Sequence, residues 1–462
     1  MLLKSITIHG LRGFGITQTL ELGIPNNKPG SGLTVIVGPN NSGKSTIIEA
    51  FRAISQNGTP SFTEGRRNKR MGDRVSIKIE SLEGNWLELK TIESGGSETT
   101  FIENGISENQ VKAFVLQSRR AFAPFFGKGL WTRETYIQNN RLPPIRNSQL
   151  DHFSYRLFQI QNNQRRFNQI LNKILNPIPQ WYIDQADNGQ YYLKFNFGDS
   201  FHNSDGAGEG LLSIFTIVDA LYDSQDNDVI VIDEPELSLH PSLQRKLMSL
   251  FLEFSSNRQI ILSTHSPYFI NWLSLVNGGK IARTVKNAEG DIVINQPKVS
   301  TINEIKGLLD NLNNPHIFGL DASEIFFLED RVILVEGQED VIFYKRILEL
   351  LDQTLNGSFY GWGIGGAPNM RKILNLLVDL GYKKVVGILD NNMEQLKKEL
   401  EREYERYKFI LLPTEDIRNK KEVKAKPPKE GLIDYAGNKI KDQYKEDILK
   451  INREINEYLN SV

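Results

Sequence analysis

Residues 35–51, VIVGPNNSGKSTIIEAF, decide the fold of the first part of the chain. A strand-like apolar run, LTVIV, precedes four glycine and asparagine turn-formers, and a helix-like apolar pattern follows them. The turn fits G-x-x-x-x-G-K-[ST], in which glycines let backbone N–H groups curl around phosphates at a helix N-terminus. Lys44 is expected to reach the β- and γ-phosphates and Ser45 to ligate Mg²⁺. We predict these nucleotide-binding residues: Asn40, Asn41, Ser42, Gly43, Lys44, Ser45 and Thr46.

Composition and charge exclude several classes of protein. The chain has 462 residues and 39% hydrophobic content, enough for at least two domains, because single cores stop growing near ~250 residues. It has no cysteine, which excludes disulfides and thiolate metal sites. The start MLLKSITIHG alternates like a strand, and no apolar run approaches ~18 residues, so we expect a cytoplasmic protein without membrane contact. The net charge of -1 argues against a uniformly basic coat, although RRNKR at 66–70 leaves a local basic face open.

An acidic motif follows a second apolar run. In NDVIVIDEPELSLHP, four consecutive apolar residues indicate a buried parallel strand that ends in Asp233 and Glu234. Carboxylates at the C-terminal ends of such strands face the ligand crevice. We predict that Asp233 holds Mg²⁺ through water and that Glu234 orients and deprotonates the attacking water. The alternative is an Asp-Glu pair that caps the next helix.

These segments resemble the motifs of ABC-type ATPases. DEPELSLHP looks like the Walker B motif and D-loop in the version found in RecF, SMC-like and OLD (overcoming lysogenisation defect) proteins. NSDGAGEGLL resembles the ABC signature, and STHSP places His265 at the switch histidine. The resemblance implies that Ser204 and Gly206 of one subunit contact the γ-phosphate held by another, so that the protein is a homo-oligomer, at least a dimer.

Other features of the first part are less specific. From the residues alone, the signature could be a glycine-rich loop and His265 a satisfied buried histidine. The segment IHGLRGFG, which contains Arg12, resembles a turn that lies near the nucleotide in these ATPases. Gln117 is either a Q-loop glutamine or a surface residue. Without sustained heptads, the helical stretch SYRLFQIQNNQRRFNQILNKILNPI predicts a packed arm or dimer contact and no long coiled coil. Its predicted packing stripe is Leu157, Ile160, Phe167, Leu171 and Ile174.

The last third of the chain carries a second set of acidic residues. Glu336 follows RVILV, Asp340 lies one helical turn on, Asp390 follows KKVVGIL, and Glu415 and Asp416 follow FILLPT. Because each group follows an apolar strand, a parallel sheet would gather these carboxylates at one edge. There they could bind Mg²⁺ or Mn²⁺, which can activate water and steady a phosphodiester.

This segment resembles the TOPRIM (topoisomerase-primase) domain, in which a glutamate after the first strand and a later D-x-D make the metal site. Glu336 matches the glutamate and Asp390 the first aspartate, whereas Asn392 occupies the place of the second aspartate. An asparagine offers a neutral oxygen, so metal binding should weaken unless Asp340, Glu415 or Asp416 compensates as a further ligand. The alternative is an inactive TOPRIM fold whose carboxylates end strands or cap helices.

The whole pattern resembles the OLD family of prokaryotic ATP-regulated nucleases, including ATPase components of the anti-phage systems Gabija and PARIS. We predict an α/β chain with an ABC-type P-loop ATPase domain at 1–320, a dimerisation or helical insertion at about 110–180, and a TOPRIM-like domain at 328–462. The resemblance implies ATP and Mg²⁺, or Mn²⁺ at the second site, DNA as a partner, and nucleotide-regulated DNA cleavage. The predicted catalytic residues are Glu234, His265, Glu336 and Asp390.

Two alternatives to this function remain open. The first is an ATPase sensor or scaffold whose degenerate TOPRIM domain holds or releases a separate defence effector protein, and Asn392 motivates it. The second is a RecF-like DNA repair ATPase, which leaves residues 330–462 without a role.

Overall fold

A computed structural model shows a mixed α/β protein, as predicted. The structure describes residues 1–56, 58–94, 96–111, 113–118, 125–126, 132–135, 153–197, 200–203, 208–309, 319–327, 330–422 and 427–461. The chain folds as two compact units, Met1–Ile294 and Asn295–Val462.

The first unit combines three sheets with helices. Its strands are β1 (Leu3–His9), β2 (Gln18–Glu21), β3 (Leu33–Val37), β4 (Ser76–Ser81), β5 (Trp86–Thr91), β6 (Thr99–Asn104), β7 (Ala113–Leu116), β8 (Phe125–Phe126), β9 (Gln180–Gln185), β10 (Tyr191–Phe197), β11 (Ser200–Asn203), β12 (Val229–Asp233), β13 (Gln259–Ser263), β14 (Lys280–Lys286) and β15 (Ile292–Asn295). Its helices span Lys44–Ser55, Phe153–Asn162, Gln164–Leu171, Glu209–Asp223, Pro241–Phe254 and Trp272–Asn277.

The segments predicted to bind nucleotide lie on a six-stranded sheet of order β15-β14-β3-β13-β12-β7. From β14 to β7, each strand pairs with its neighbour in parallel. β3, β12 and β13 are buried along their whole length, as expected of parallel strands covered on both faces. The loops after these three strands therefore meet at one edge of the sheet.

Helix Lys44–Ser55 packs between this sheet and an antiparallel sheet of order β2-β1-β4-β5-β6. Its apolar residues Ile47, Phe51 and Ile54 are at most 1% exposed and belong to one core with Ile6 of β1. Burying each such side chain stabilises the fold by about 1.5–3 kcal/mol. The core thus fixes the helix whose first turn carries the lysine of the motif.

The predicted helical arm is interrupted. Asn163, with φ -145° and ψ 67°, separates helix Phe153–Asn162 from helix Gln164–Leu171, so the expectation of one continuous helix was wrong. The predicted packing stripe is at most 2% exposed: Leu157, Ile160, Phe167, Leu171 and Ile174. In addition, Arg156 pairs at 2.9 Å with Asp219, and both side chains are buried. The arm therefore packs against helix Glu209–Asp223 of the same unit.

The second unit is built on a parallel sheet of order β17-β16-β18-β19. Its strands are β16 (Val332–Leu334), β17 (Ser358–Phe359), β18 (Val385–Leu389), β19 (Lys408–Leu411), β20 (Asp416–Arg418) and β21 (Gly431–Ile433). Its helices span Val299–Leu309, Leu320–Ser323, Gln338–Leu350, Met370–Asp379, Glu394–Glu403 and Lys445–Asn460. β16 and β18 are direct neighbours, so their carboxyl ends lie side by side.

The division between the units falls earlier than the predicted domain limit at residue 320. Helix Val299–Leu309 belongs to the second unit because Asp379 accepts hydrogen bonds from Lys298 N at 2.8 Å and from Thr301 Oγ1 at 2.5 Å. Glu304 also accepts a hydrogen bond from Asn375 at 2.9 Å. No helix within the described ranges combines the length and apolarity of a membrane span.

Candidate nucleotide site and carboxylate cluster

The loop after β3 has the backbone conformation of a phosphate-binding turn. Gly38, Asn41 and Gly43 have φ values of 142°, 61° and 97°, a region that residues with a Cβ enter at a cost. A Cβ on Gly43 would lie 2.3 Å from Cδ1 of Ile292, and one on Gly38 would lie 2.2 Å from the carbonyl oxygen of Thr284. Both glycines are thus required by conformation and by space.

Lys44 occupies the first turn of the helix that follows the loop. Its Nζ donates hydrogen bonds to the carbonyl oxygens of Gly38 and Pro39, both at 2.9 Å. Desolvation lowers the pKa of this buried lysine to about 8, although the charge of Glu234 opposes that shift. A buried ammonium held by carbonyl oxygens gains from contact with an anion.

The acidic pair lies at the carboxyl end of β12, beside the end of β13. Asp233 is buried, and it accepts a hydrogen bond from Ser263 Oγ on β13. Glu234 has a φ of 48°, and its Oε1 lies 3.7 Å from Nε2 of His265. Burial and then the charge of Lys44 lower the pKa of His265. The imidazole is therefore neutral at neutral pH, able to accept or to donate a proton.

Glu236 is a residue of this edge that we did not predict. Its Oε1 accepts a hydrogen bond from the backbone N–H of His265 at 2.6 Å, and burial raises the pKa of its carboxyl group. The contact fixes the loop that carries the histidine. The stretch DEPEL contains this glutamate, but its partner depends on the three-dimensional path of the loop after β13, which the sequence does not show.

A cavity of about 460 Å³ joins these segments. All predicted nucleotide-binding residues of the loop line it, together with Arg12, Glu234 and His265: Asn40, Asn41, Ser42, Gly43, Lys44, Ser45 and Thr46. Lys286 and Ile292, for which the sequence carries no motif, also line the cavity.

One predicted contact, Gln117, is exposed just after β7 and is not among the described lining residues of the cavity. The signature residues Ser204 and Gly206 lie outside the described residues.

The basic run RRNKR is engaged within the chain. Its cations pair with carboxylates or a carbonyl group: Arg66 with Glu49 at 3.4 Å, Lys69 with Glu64 at 3.3 Å, Arg70 with Asp291 at 2.6 Å, and Arg67 with the Gly96 carbonyl oxygen at 2.6 Å. Asn68 Nδ2 also donates to the carbonyl oxygen of Arg12 at 2.7 Å. The run therefore links segments of the first unit through ion pairs and hydrogen bonds. Arg165 and Arg166 of the arm are exposed.

The second unit brings four carboxylates from separate segments close together. Glu336 follows β16, Asp390 follows β18, Asp416 begins β20, and Asp340 lies on helix Gln338–Leu350. Burial and then neighbouring carboxylates raise the pKa of Asp390 to about 8, and burial is also the main reason that the pKa of Asp340 rises to about 6. The pKa of Glu336 is raised mainly by burial as well. These four acidic residues thus form one carboxylate cluster.

This cluster is not preorganised as a metal site. In the described parts of the chain, no three His, Asp or Glu side chains are arranged to hold a metal ion. Nevertheless, Glu336 Oε1 is buried and has no hydrogen-bond partner among the described residues, which fits a cation. Asp416 pairs with Lys420 at 2.6 Å.

Two positions of the predicted metal site lie at the surface. Asn392 and Glu415 are exposed, whereas the buried Asp416 faces the cluster. Glu415 lies in the bend before β20, and Asp416 is the first residue of that strand. Of these two predicted alternatives, the structure places Asp416 at the cluster and Glu415 at the surface.

The first unit has a loop of this pattern between a buried parallel strand and a helix. An acidic pair and a histidine follow the next two strands of the sheet. Together these features define a P-loop ATPase domain of ABC type. The chain belongs to the family described as "AAA domain, putative AbiEii toxin, Type IV TA system", whose model matches residues 33–271. The match begins at the first residue of β3 and extends past His265, so it includes every motif of the cavity that was predicted from the sequence except Arg12.

Curated relatives of the chain include nucleases. Endonuclease GajA of Bacillus cereus (strain VD045) is 26% identical over 211 residues, which cover 45% of this chain and 34% of the relative. OLD nuclease of Thermus scotoductus (strain ATCC 700910 / SA-01) is 34% identical over 130 residues, covering 27% and 23%. Old nuclease of Escherichia phage P2 is 31% identical over 137 residues, covering 29% and 21%. The matches span about a third or less of the length of each relative.

Among solved structures, an SMC head domain from Thermotoga maritima matches with a TM-score of 0.37 and 15% identity, covering 65% of this chain and 100% of that one. An SmcHead bound to the C-winged helix domain of ScpA matches with a TM-score of 0.42 and 12% identity, covering 65% and 99%.

Proposed function

We propose that this chain binds and hydrolyses ATP in prokaryotic anti-phage defence, as an OLD-family-like protein whose second unit is a TOPRIM-like, metal-dependent DNA nuclease controlled by the nucleotide. The observation that carries the proposal is the cavity that joins the glycine-rich loop to Glu234 and His265. The similarity to proteins named GajA endonuclease and OLD nuclease supports the choice of family.

The residues of the cavity divide the work of hydrolysis. Backbone N–H groups of the loop bind the phosphates, and Lys44 regains its full charge against them. Glu234 orients the attacking water and accepts its proton. The neutral imidazole of His265, 3.7 Å from that carboxylate, contacts the γ-phosphate. Asp233 and Ser45 would hold Mg²⁺, which when bound neutralises charge developing on the phosphates.

The proposal includes a second copy of the chain. In ABC-type ATPases the signature of one subunit completes the nucleotide site of another, so Ser204 and Gly206 would act in trans. Closed symmetric oligomers are the default for such assemblies. ATP binding would then change the interface between copies, and with it the access of DNA to the second unit.

In the second unit, the carboxylates of Glu336, Asp340, Asp390 and Asp416 would hold Mg²⁺ or Mn²⁺. When bound, such an ion activates water and stabilises charge on a phosphodiester. Metal binding would have to displace Lys420 from Asp416 and remove the proton that Asp390 retains. These residues favour a cation in a place where one buried and three partly buried carboxylates otherwise repel each other.

Nicking of supercoiled plasmid by the purified chain tests the nuclease assignment. The assay is run with Mg²⁺ or Mn²⁺, with and without ATP, on wild-type protein, Glu336→Ala and a control, Glu349→Ala, which removes an exposed carboxylate of the same unit. We expect metal-dependent nicking that Glu336→Ala abolishes and Glu349→Ala retains. Equal nicking by both variants would refute the assignment.

A second candidate function is an ATPase sensor or scaffold that holds a separate effector protein. The lack of a ready metal-ligand arrangement in the described residues and the exposed Asn392 favour it. In this case the wild-type chain hydrolyses ATP, cuts no DNA with either metal, and retains or releases a partner according to the nucleotide. Full nuclease activity of the purified chain excludes it.

A further inference from the structure

The order of the central sheet separates two walls of the nucleotide cavity. β3, which carries the glycine-rich loop, has β13 as one neighbour and β14 as the other. Glu234 and His265 come from the β12–β13 side, whereas Lys286 and Ile292 come from the end of β14 and the start of β15. A nucleotide bound along the loop therefore meets two chemically different walls.

The charges identify the wall at the γ-phosphate. The lysine of a P-loop reaches the β- and γ-phosphates, and the general base stands next to the γ-phosphate. The charges of Glu234 and Asp233 act on Lys44, and that of Lys44 acts on His265. A bound γ-phosphate would therefore point toward β12 and β13. The rest of the nucleotide, beginning with the α-phosphate, would extend toward β14.

The wall on the β14 side is rigid. Asn287 N donates to the carbonyl oxygen of Asp291 at 2.8 Å, and Asp291 N donates to Asn287 Oδ1 at 2.7 Å, which closes the turn after β14. Asp291 also pairs with Arg70 at 2.6 Å. Ile292 N donates to the carbonyl oxygen of Gly13 at 2.8 Å. The turn is thereby tied to both neighbouring segments, and Lys286 projects from a fixed base.

Two cations, Arg12 and Lys286, line the cavity away from Glu234 and His265, and they differ in their partners. The guanidinium of Arg12 pairs with Glu49 at 2.8 Å. Lys286 is exposed and forms no ion pair in the described part of the chain, whereas Lys280, at the other end of the same strand, pairs with Glu21 at 2.8 Å. Lys286 is therefore the cation of this wall that is available to a ligand.

We propose that Lys286 is a nucleotide-binding residue that contacts the α-phosphate. Its ammonium is a compact point charge on a flexible stem, suited to a phosphate oxygen. The contact is the same in ATP and in ADP, because both carry the α-phosphate. The inference rests on the proposed ATP binding and adds a residue that no motif marks.

The test is the affinity of the full chain for ATP and for ADP, measured by isothermal titration calorimetry for wild-type protein and for Lys286→Ala, Lys286→Arg and Lys280→Ala. We expect Lys286→Ala to lower the affinity for both nucleotides by a similar factor, about 3- to 10-fold, as for an exposed charged contact. Lys286→Arg restores most of the affinity because it keeps the charge, and Lys280→Ala binds like wild type. The KM for ATP rises more than kcat falls.

Two results would overturn the assignment. Unchanged affinity of Lys286→Ala for both nucleotides would show that the lysine does not contact the nucleotide. A weaker affinity for ATP with an unchanged affinity for ADP would place the lysine at the γ-phosphate. Failure of the underlying function looks different: the wild-type chain would bind neither nucleotide, or Lys44→Ala would bind both as wild type does. A circular dichroism spectrum of each variant establishes that it is folded.

Discussion

The nucleotide cavity and the carboxylate cluster present opposite electrostatic demands. In the cavity, burial lowers the pKa of a cation, Lys44, to about 8. In the cluster, burial and like charges raise the pKa of an anion, Asp390, also to about 8. Each group is destabilised in its charged form, so the proposed function requires an anionic ligand in the cavity and a cationic one in the cluster. On that proposal, burial sets the charge of the ligand at both sites.

The two sites also differ in how far they are preorganised. The loop after β3 already has the positive φ angles of a phosphate-binding turn, and its glycines leave no room for a Cβ. In the cluster, one carboxylate, Asp416, is occupied by Lys420, and Asn392 stands at the surface. The cavity should therefore bind with little rearrangement, whereas the cluster must exchange an internal ion pair for a metal ion.

The largest effect expected in the cavity is on turnover. Glu234→Gln removes the proposed general base and keeps the size of the side chain, so hydrolysis should fall by about 100- to 10,000-fold while ATP remains bound. The measurement is phosphate release at saturating ATP, together with ATP affinity. Glu253→Gln, which changes an exposed glutamate of the same unit, should hydrolyse at the wild-type rate. Turnover of Glu234→Gln near that rate would remove this residue from the catalytic set.

The next largest effect is on affinity. Lys44→Ala removes a buried charge that would face the phosphates, which costs about 2–5 kcal/mol, or at least a roughly 30-fold loss of ATP affinity. Calorimetric titration measures it, with Lys28→Ala as a control at an exposed lysine before β3. ATP binding by Lys44→Ala at wild-type strength would mean that the buried ammonium does not serve the nucleotide.

The cluster should respond to pH in the opposite sense to a typical salt-bridged carboxylate. The pKa values of Asp390 and Asp340 in the folded unit, about 8 and about 6, lie above the ordinary value for aspartate. Protonation therefore favours the folded state, and stability is lost as pH rises from about 4 through about 8. Asp390→Asn cannot ionise, so it should flatten this decline, and urea unfolding of the full chain between about pH 6 and pH 9 measures it.

Added Mg²⁺ or Mn²⁺ sharpens the same experiment. Because the metal competes with protons for the carboxylates, its stabilising effect on wild-type protein should grow as pH rises toward about 8, and it should be smaller in Asp390→Asn. A metal effect that is independent of pH and of Asp390 would indicate that the ion binds elsewhere. Equal pH dependence of the two proteins without metal would show that Asp390 is not the titrating group.

How well each site could be predicted from the sequence depends on whether its geometry is local. The position of the loop from Gly38 to Ser45 between β3 and a helix could be predicted, because one continuous segment determines it. The sequence did not single out Lys286 and Glu236, because their location depends on the order of strands and on the path of a loop, which short patterns do not encode. In the cluster, strand ends were located correctly, but the choice between Glu415 and Asp416 depends on the local path of the backbone before β20.

The smallest effect concerns the position at which the cluster departs from the D-x-D pattern. Asn392→Asp adds a carboxylate two residues after Asp390, and at a surface position it should raise metal affinity by about 10-fold or less, since an added ligand charge strengthens divalent binding. Asn391→Asp is the matched control, because it adds the same charge one residue away at another exposed asparagine. If metal affinity rises equally in both variants, the rise comes from general electrostatic attraction. If metal affinity rises only in Asn392→Asp, the side chain at this position reaches the ion, and the natural asparagine lowers the metal affinity of the cluster.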